Sequence, residues 1–491
     1  MNEKKIINIA SLIDDQPIRF FHVRLIALIF LVMISDGYDQ MSIGFAAPGI
    51  AHTLHIDRSS LGSILSASLA GMLVGAPLLG WVGDRFGRRG AILSGVFIFG
   101  AMSLVSAAAQ TFDELLVVRF FTGLGLSGVA ANAVALVAEY APKRVRMTLI
   151  VLALIGLTVG SMLPAVVSGT LEATYGWRSL FVVGGIAPLV IGIGLFFTLP
   201  ESLKFMVVAK WPTAKLMRVA GAVDPKLKGE TGIVFVSPED RTAGSRKSDI
   251  KRLFADGLIW ITPIVWVIFN TFLAVNYFLH GWMPILFRDG GLTIGQTAIV
   301  TSMFDVGGVI GAVTISRFVD KFGIAAIVAL FLLACPAVSV IGFIGTIGHS
   351  AYLLGAVIFL SGFCLVGITL GMNAVAGVIY PTEIRATGVG WAFGVGRIGS
   401  MSGPLIGGWL VGMNLPISQL FLAPVVPLGV GLVLSFVLMK LCVKRFQGRV
   451  LSDKMAADPA TILADAGHEQ LTAKDRLCHI TRSPISPTRP P

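Results

Sequence analysis

Charged residues are scarce in this chain. Only 13% of its 491 residues are Asp, Glu, Lys or Arg, whereas 55% are hydrophobic and the mean hydropathy is +0.83. Soluble domains carry about 25% charged residues, so this composition excludes an ordinary soluble protein. Apolar runs recur along the chain, each near the roughly 20 residues that a helix needs to cross a bilayer. The sequence therefore predicts a membrane protein with many spans.

Motifs of metal binding and of enzyme chemistry are also missing. The four cysteines show no metal-ligand or disulfide spacing, and His52 and His55 have no third ligand beside them. Neither a GxxxxGK[ST] phosphate loop nor an HExxH metal site occurs. We therefore expect no metal, no cofactor and no enzyme activity, and we expect any transport to be driven by an ion gradient.

Twelve apolar runs predict twelve transmembrane helices in two groups of six. Predicted helices 1 to 6 cover 24–47, 61–81, 91–110, 115–138, 147–170 and 179–199, and helices 7 to 12 cover 257–287, 296–316, 324–346, 351–378, 387–411 and 418–443. The polar N-terminus lacks the apolar core and cleavage site of a signal peptide, so we expect helix 1 to remain in the mature protein.

The two groups define the domains. We expect a cytoplasmic N-terminal segment (1–23), an N-terminal six-helix bundle (24–199), a cytoplasmic linker with possible short surface helices (200–256), a C-terminal six-helix bundle (257–443) and a cytoplasmic tail (444–491). The Pro-rich end of the tail predicts disorder.

Lysine and arginine are distributed unevenly among the loops. They concentrate after predicted helices 2, 4, 8 and 10 and are few in the opposite loops. Because positive loops stay in the cytoplasm, we expect both termini there, in a multi-pass protein of the inner membrane. The same bias explains the net charge of +11, which we assign to loops that face anionic lipid rather than to a nucleic-acid surface.

Three short motifs recur in the same order about half a chain apart. Asp84-Arg85-Phe86-Gly87 recurs as Asp320-Lys321-Phe322-Gly323, Pro142 and Arg146 recur as Pro381 and Arg385, and Gly160-Ser161-Met162 recurs as Gly399-Ser400-Met401. Such ordered repetition predicts two related six-helix halves, which is typical of transporters.

These motifs also carry a family resemblance. The stretch GWVGDRFGRR (80–89), with a degenerate second copy SRFVDKFG (316–323), resembles the loop signature of the major facilitator superfamily. RFFTGLGLSG (119–128) resembles its helix 4 motif. The DGYD stretch (36–39) and the long stretch that begins YPTEIRATGVGW (380–391) are similar to the aromatic acid:proton symporter family within that superfamily.

The resemblance covers roughly residues 24–443 and implies an all-α membrane protein with twelve helices in two pseudo-symmetric bundles. It further implies import of an aromatic carboxylate, of the 4-hydroxybenzoate or protocatechuate type, by proton symport and alternating access. The chain lacks the Gly-Pro signature that drug antiporters carry in helix 5, which favours uptake over efflux. A channel, a solute sensor on a transporter fold, and a carrier of a non-aromatic organic acid or sugar are the alternatives. We expect a monomer to suffice for function.

Two aspartates stand in predicted helix 1, where a central carboxylate costs about 2.5 to 3.5 kcal/mol in bilayer insertion. Asp36 and Asp39 are three residues apart and are expected on nearly the same helix face. Two close carboxylates in a low dielectric cannot both ionise easily, so we expect them to carry the coupled proton, with Asp39 the better candidate. Two structural ion pairs with arginines are the alternative.

Other charged residues in the predicted helices are candidate partners. Arg119 resembles the helix 4 arginine that the family associates with proton movement. Glu139 is assigned to proton coupling, although a structural ion pair with Arg144 or Arg385 explains it equally well. Arg397, near the middle of helix 11, is expected to bind the substrate carboxylate.

Helix 7 supplies the polar and aromatic side chains that an aromatic substrate needs. We assign substrate binding to Asn276, Tyr277 and His280 there and to Asn373 in helix 10. Asp305 in helix 8 stands among small residues, and the sequence leaves open whether it serves coupling or the interface between the halves.

The repeated loop motif predicts a conformational latch. Its members are Gly83, Asp84, Arg85, Gly87 and Arg88, with Asp320 and Arg385 from the second half. The glycines permit a tight turn, the aspartate can accept hydrogen bonds from a neighbouring helix N-terminus, and the arginines can bind carboxylates or lipid phosphates. A topology signal alone would explain the arginines but neither the aspartate nor the glycines.

Overall fold

The computed structural model describes residues 5–14, 16–227, 233–236, 250–255, 258–344, 351–380 and 384–445. Twelve long helices lie within these residues, and we label them α1 to α12. Those of the first half are α1 (Phe20–Leu54), α2 (Leu61–Phe86), α3 (Arg88–Ala108), α4 (Phe112–Tyr140), α5 (Arg146–Val167) and α6 (Arg178–Thr198). Those of the second half are α7 (Ile261–Asp289), α8 (Ile294–Phe322), α9 (Ile324–Ile344), α10 (Ala351–Ile379), α11 (Arg385–Gly412) and α12 (Val425–Arg445).

The helices have the length and surface of membrane spans. Eleven stretches among the described residues are long and apolar enough to cross a bilayer, and α11, the Gly-rich helix not among them, is 28 residues long. Large apolar side chains point outward, among them Phe197 and Val190, whose side chains are 79% and 62% exposed. An outward apolar surface of this kind matches lipid and not water. The predicted all-α membrane fold is confirmed.

Two helices depart from the predicted apolar runs. The run predicted as helix 12 is split into Ile417–Leu422 and α12, because Pro424 at the break has no N–H for helical hydrogen bonding. Helix α5 continues into a single π-helical turn, Ser168–Glu172. Such turns are frequent at functional sites, and Glu172 at the end of this turn contacts Arg288 of the other half.

The two halves repeat one packing scheme. In the first half α1 packs on α5, α2 on α4, and α3 on both α4 and α6. In the second half α7 packs on α11, α8 on α10, and α9 on both α10 and α12. Each pair is the earlier pair shifted by six helices, as expected from the repeated motifs. Gly87 and Gly323, which occupy the same place in the two loop motifs, both have positive φ, 99° and 59°.

The N-terminal segment and the linker meet at one end of the bundle, which we call the linker end. Strand β1 (Lys5–Asn8) pairs in parallel with β2 (Ile233–Val236), with Lys5 opposite Ile233. Short helices Leu203–Val208 and Thr213–Val223 lie in the linker, where surface helices were expected. The sequence did not predict the strands, because four residues are too few for a pattern. The tail beyond 445 lies outside the described residues.

The opposite end, which we call the far end, is where the halves touch. Three hydrogen-bonded contacts join them among the described residues: Arg58 with Asp289 at 2.8 Å, Arg288 with Glu172 at 3.2 Å, and Ser66 with the carbonyl of Met401 at 2.9 Å. A Cβ atom on Gly62 would lie 2.9 Å from Cα of Gly408, so α2 and α11 meet there backbone to backbone. All these contacts lie near the far end, and a cavity lies on their inner side.

Candidate functional site

A buried ion pair stands at the centre of the N-terminal half. Arg119 of α4 donates from Nη1 to Oδ1 of Asp39 and from Nη2 to Oδ2, both at 2.9 Å. Both side chains are completely buried. This two-point geometry is the strongest that an arginine and a carboxylate form. Neither charge is tolerated alone at this depth, so the two residues are maintained as one unit.

Neighbouring helices position the pair. A Cβ atom on Gly123 would lie 1.8 Å from the carbonyl oxygen of Ser68, so α4 packs directly against the backbone of α2. This approach brings the hydroxyl of Ser68 to 3.4 Å from Nη2 of Arg119. On another side, the guanidinium lies 5.5 Å from the ring centre of Phe181, a stacking that arginine accepts well. The sequence indicated Arg119, but only the helix packing shows that Asp39 is its partner.

Asp36 does not share the surroundings of Asp39. Its Oδ1 accepts a hydrogen bond from Gln40 at 2.9 Å, and its Oδ2 is buried without a partner among the described groups. Two charges act on Asp36: that of Asp39, on the same helix, and that of Arg397, from the other half, which also acts on Tyr277. Three residues correspond to about 300° around a helix, which leaves the two side chains about 60° apart, so they are neighbours that meet different partners. The structure thus brings Asp36 toward the C-terminal half and Asp39 toward α4.

A cavity of about 340 Å³ lies between the halves, a size in the usual range for small-molecule sites. It is lined from the first half by α1, α2, α4 and α5 and from the second half by α7, α8, α10 and α11. Asp39, Gln40 and Ser68 supply polar groups from the first half. Apolar side chains, among them Ile43 and Leu65, make up much of the remaining wall.

The polar wall of the second half is formed by α7 and α8. Asn276, Tyr277, His280 and Asp305 all line the cavity there. His280 Nδ1 lies 2.9 Å from the backbone carbonyl of Asn276, and its Nε2 lies 3.4 Å from Oδ1 of Asp305. The imidazole also packs edge-on against Phe304 at 4.7 Å. Three of the predicted substrate-binding residues are thus brought together, and Asp305, whose role the sequence left open, joins them.

Two predicted substrate-binding residues are not part of this wall. Neither Arg397 nor Asn373 is among the residues that line the cavity. Arg397 is half-buried, and the amide oxygen of Asn373 is buried without a partner among the described groups. Their assignment to substrate binding remains a prediction. Trp282 of α7 is fully buried and donates to the carbonyl of Pro404 at 3.1 Å.

The latch residues of the first half form a cluster at the linker end. Arg88 donates to Asp84 at 2.7 Å and lies 3.5 Å from the carboxylate of Glu139. Glu139 therefore has Arg88 as its partner, whereas the sequence proposed Arg144 or Arg385. The Asp84 side chain is 70% exposed, so in this conformation its contact is the neighbouring Arg88 and not the helix N-terminus that we expected.

Glu201, at the start of the linker, was not singled out from the sequence, yet it organises this cluster. Its Oε1 accepts from the backbone N–H groups of Ser202 at 2.9 Å and Arg89 at 3.2 Å. Its backbone carbonyl accepts from the hydroxyl of Tyr140. Burial raises the pKa of the Glu201 carboxyl above its ordinary value, against the opposing effect of these N–H donors. No local signal predicts the contact, because 112 residues separate Glu201 from Arg89.

The other latch residues of the first half, Gly83, Gly87 and Arg85, have distinct surroundings. Gly87 adopts φ of 99°, and a Cβ atom there would lie 2.3 Å from the Glu201 carboxylate. At Gly83 a Cβ atom would lie 2.0 Å from the side-chain oxygen of Asn132. Arg85 contacts the ring of Trp81 at 5.8 Å. Gly87 is thus needed for the turn, as the motif predicted, whereas Gly83 is needed for a close approach that the motif did not predict.

In the second half Arg385 lies at the start of α11, and its Nε lies 3.5 Å from the backbone carbonyl of Tyr380. Arg146, its counterpart in the first half, donates in the same way to the carbonyl of Ala141 at 3.2 Å. The side chain of Asp320 lies outside the described part of the chain. Within the described residues, three or more His, Cys, Asp or Glu side chains do not gather at any point in a way that would hold a metal ion.

Known proteins were compared with this chain. A family model described as the Major Facilitator Superfamily matches residues 29–338 and 282–450. The 4-hydroxybenzoate transporter PcaK of Pseudomonas putida is 34% identical over 426 residues, which are 86% of this chain and 94% of that protein. The gallate transporter of the same species is 32% identical, covering 84% of this chain and 91% of that one.

Among solved structures, a D-xylose-proton symporter aligns with a TM-score of 0.64 at 18% identity, over 85% of this chain and 97% of that one. A bacterial homologue of the lysosomal transporter Spinster, in an inward-facing and occupied conformation, aligns with a TM-score of 0.65 at 17% identity, over 87% and 99%. At this level of identity the likeness shows a common fold.

Proposed function

Because this chain belongs to the Major Facilitator Superfamily, and within it to the same family as these curated relatives, we propose that it imports an aromatic carboxylate together with protons. The family membership predicted from the loop motif and the DGYD stretch is confirmed, and so is the prediction of a transporter rather than an enzyme, since the relatives are transporters. The substrate and the coupling to protons are our proposals.

The observation that carries the proposal is the buried pair of Asp39 and Arg119 at the wall of the cavity. Asp39 faces the cavity while its carboxylate is held by Arg119 at two points. When a proton neutralises Asp39, the guanidinium loses its anionic partner in a low-dielectric site. A substrate carboxylate entering the cavity then supplies the missing negative charge. Proton binding and substrate binding thereby favour each other.

Release follows the same steps in reverse. When Asp39 loses its proton it recovers Arg119, and the substrate carboxylate no longer has an unpaired cation to bind. One proton with one monoanion moves no net charge, so the pH gradient alone would drive uptake, at about 1.4 kcal/mol per pH unit. A second proton, for which Asp36 is the candidate, would add about 2.3 kcal/mol per 100 mV of membrane potential. A proton gradient, with no cofactor, is the proposed energy source.

The contacts between the halves support alternating access. They lie near the far end, at Arg58 with Asp289 and at Arg288 with Glu172. We assign the linker end to the cytoplasm, since the positive loops lie there, and this conformation is then closed to the outside and faces inward. Opening outward requires both ion pairs to break and the loop clusters at the linker end to close. In this proposal the protein lies in the inner membrane with both termini in the cytoplasm.

The test is uptake of labelled 4-hydroxybenzoate into proteoliposomes with an imposed inward proton gradient, with and without a protonophore. We expect accumulation above equilibrium that collapses when the protonophore is added. Uptake that only equilibrates would contradict proton coupling and favour a channel. Binding without net flux would favour a sensor. If no aromatic acid is taken up while a non-aromatic acid or a sugar is, the substrate class is wrong although the coupling stands.

A further inference from the structure

Two buried acceptor atoms stand together in the cavity wall without partners. They are the side-chain oxygen Oδ1 of Asn276 on α7 and Oδ2 of Asp305 on α8, and neither has a hydrogen bond from any described group. Both residues line the cavity. An unpaired buried acceptor lowers stability, so two of them in one wall indicate a ligand that donates hydrogen bonds.

The imidazole of His280 fixes how Asp305 presents its carboxyl group. Nδ1 of His280 faces a backbone carbonyl, which can only accept, so Nδ1 carries a hydrogen. Nε2 faces Oδ1 of Asp305 at 3.4 Å, and two bare acceptors would repel each other there. One shared proton therefore lies between His280 and Asp305. With the proton on either residue, Oδ1 is occupied by His280 and Oδ2 stays an acceptor toward the cavity.

Flat apolar surfaces flank these acceptors. Tyr277 and Phe393 line the same cavity from α7 and α11, and aromatic faces of this kind stack on a planar ring. The anion-binding element of the proposed mechanism, Arg119 behind Asp39, belongs to the first half of the protein. A ring with its carboxylate toward Arg119 would direct the opposite edge to the second half, where Asn276 and Asp305 lie.

We propose that Asn276 and Asp305 bind hydroxyl groups on the ring of the substrate, so that the transporter selects hydroxylated aromatic acids over unsubstituted ones. His280 is a positioning residue that holds Asp305. The inference rests on the proposed transport of aromatic acids and specifies the substrate class within it. Hydrogen bonds to two buried acceptors that are otherwise unpaired are worth enough to change affinity about 10- to 100-fold.

The first experiment uses the wild-type protein and a matched set of ligands. Equilibrium binding to the purified protein in detergent is measured for benzoate, 4-hydroxybenzoate and 3,4-dihydroxybenzoate. The set also includes 4-fluorobenzoate and 4-methoxybenzoate, whose substituents accept but cannot donate. We expect the two hydroxylated acids to bind about 10- to 100-fold more tightly than the three that lack a donor. Binding is measured instead of uptake so that a defect in proton coupling cannot imitate the result.

The second experiment removes the acceptors while keeping the side-chain volume. Asn276→Leu and Asp305→Leu are expected to reduce the preference for 4-hydroxybenzoate over benzoate to about one, because the affinity for 4-hydroxybenzoate falls more than the affinity for benzoate. Asn270→Leu is the matched control, because Asn270 lies on the same helix, does not line the cavity and bonds to the carbonyl of Val395. Its preference for hydroxylated acids is expected to equal that of the wild type.

Distinct outcomes overturn the inference and the proposed function. Binding of 4-fluorobenzoate or benzoate as tight as that of 4-hydroxybenzoate overturns hydroxyl recognition while leaving aromatic acid transport intact. Equal losses for all ligands in Asn276→Leu and Asp305→Leu do the same, because they indicate a structural role. No binding of any ligand in the set overturns the proposed substrate class itself. If Asp305→Leu does not fold, the ligand set on the wild type and Asn276→Leu decide the matter.

Discussion

The two halves repeat one helix arrangement but treat the polar groups at the cavity differently. In the N-terminal half, Asp39 is held at two points by Arg119, and Ser68 reaches the same guanidinium. In the C-terminal half, Asn276 and Asp305 each present a buried oxygen without a described partner. A paired charge can act as a switch when a proton separates it, whereas an unpaired acceptor is available to a ligand. The two halves therefore share one helix arrangement but supply different polar groups to the cavity.

The loop clusters at the linker end differ in the same way. In the first half the motif is tied to the linker through Glu201, which accepts from Arg89 and Ser202. In the second half the motif itself has no arginine after Lys321, while its turn glycine, Gly323, repeats the positive φ of Gly87. The turn geometry is therefore common to both halves, whereas the contacts with Glu201 belong to the first.

The largest effect is expected from breaking the ion pair of Asp39 and Arg119 in the N-terminal half. Asp39→Asn should abolish accumulation of substrate above equilibrium, because the neutral side chain cannot exchange a proton. It also leaves Arg119 buried without an anion, which costs about 3 to 5 kcal/mol of stability. Uptake into proteoliposomes and thermal unfolding in detergent measure the two effects, with membrane insertion checked separately.

Two further variants separate coupling from stability. Asp39→Asn combined with Arg119→Gln should recover most of the thermal stability without recovering accumulation, since the unpaired charge is gone but the proton site is not restored. Asp113→Asn, at an exposed position in the first turn of α4, should behave as the wild type. Accumulation at the wild-type level in Asp39→Asn would contradict the role of Asp39.

The next largest effect, a loss of stability, is expected at the loop turn of the first half. Gly87→Ala places a side chain at φ of 99° and against the Glu201 carboxylate, so we expect a loss of about 1 to 2 kcal/mol from the backbone alone and more from the contact. Gly90→Ala, where a Cβ atom meets open space within helix α3, should be neutral or stabilising by up to about 1 kcal/mol. Thermal unfolding compares them, and equal unfolding temperatures would contradict this account of the loop.

A pair of asparagines compares the halves directly. Asn132 in α4 donates to the carbonyls of Gly128 at 2.7 Å and Leu79 at 3.3 Å, whereas the amide oxygen of Asn373 in α10 is buried and unpaired. Asn132→Leu should therefore destabilise the protein by about 1 to 3 kcal/mol. Asn373→Leu should be neutral or stabilising. Substrate affinity measured in Asn373→Leu also tests the sequence prediction that Asn373 binds substrate: a loss of affinity would support it.

The smallest effect concerns pH. Burial raises the pKa of Glu201 above its ordinary value, so the folded protein takes up this proton more readily than the unfolded chain. The contribution of Glu201 to stability is then greatest in acid and declines as the pH rises through the raised pKa. Glu201→Gln retains an oxygen for both N–H donors but carries no charge.

We therefore expect Glu201→Gln to match the wild type near pH 4 and to be slightly more stable at pH 7 and above. The difference in unfolding temperature between the two proteins, followed across this range, cancels the contribution of the other carboxylates. If Glu201→Gln were more stable than the wild type in acid but not at neutral pH, the raised pKa of Glu201 would be contradicted.

Sequence reasoning went furthest where the signal is local. The apolar runs predicted the helices because each span must satisfy its own backbone hydrogen bonds within the bilayer, and the repeated motifs predicted the halves. The family motifs pointed to Arg119 and Asp39, and the polar and aromatic side chains of helix 7 pointed to its cavity residues. Residue spacing placed Asp36 and Asp39 on nearly one face, but it could not show that Arg119 binds Asp39 while Gln40 binds Asp36.

The sequence by itself determined the membrane class, the twelve helices, the two related halves and the residue types available for coupling and binding. Only the tertiary structure decided that Arg119 binds Asp39 and that Glu201 anchors the loop cluster. The physical reason is distance along the chain. Helix formation depends on neighbouring residues, whereas an ion pair between residues 80 apart exists only after whole helices have packed.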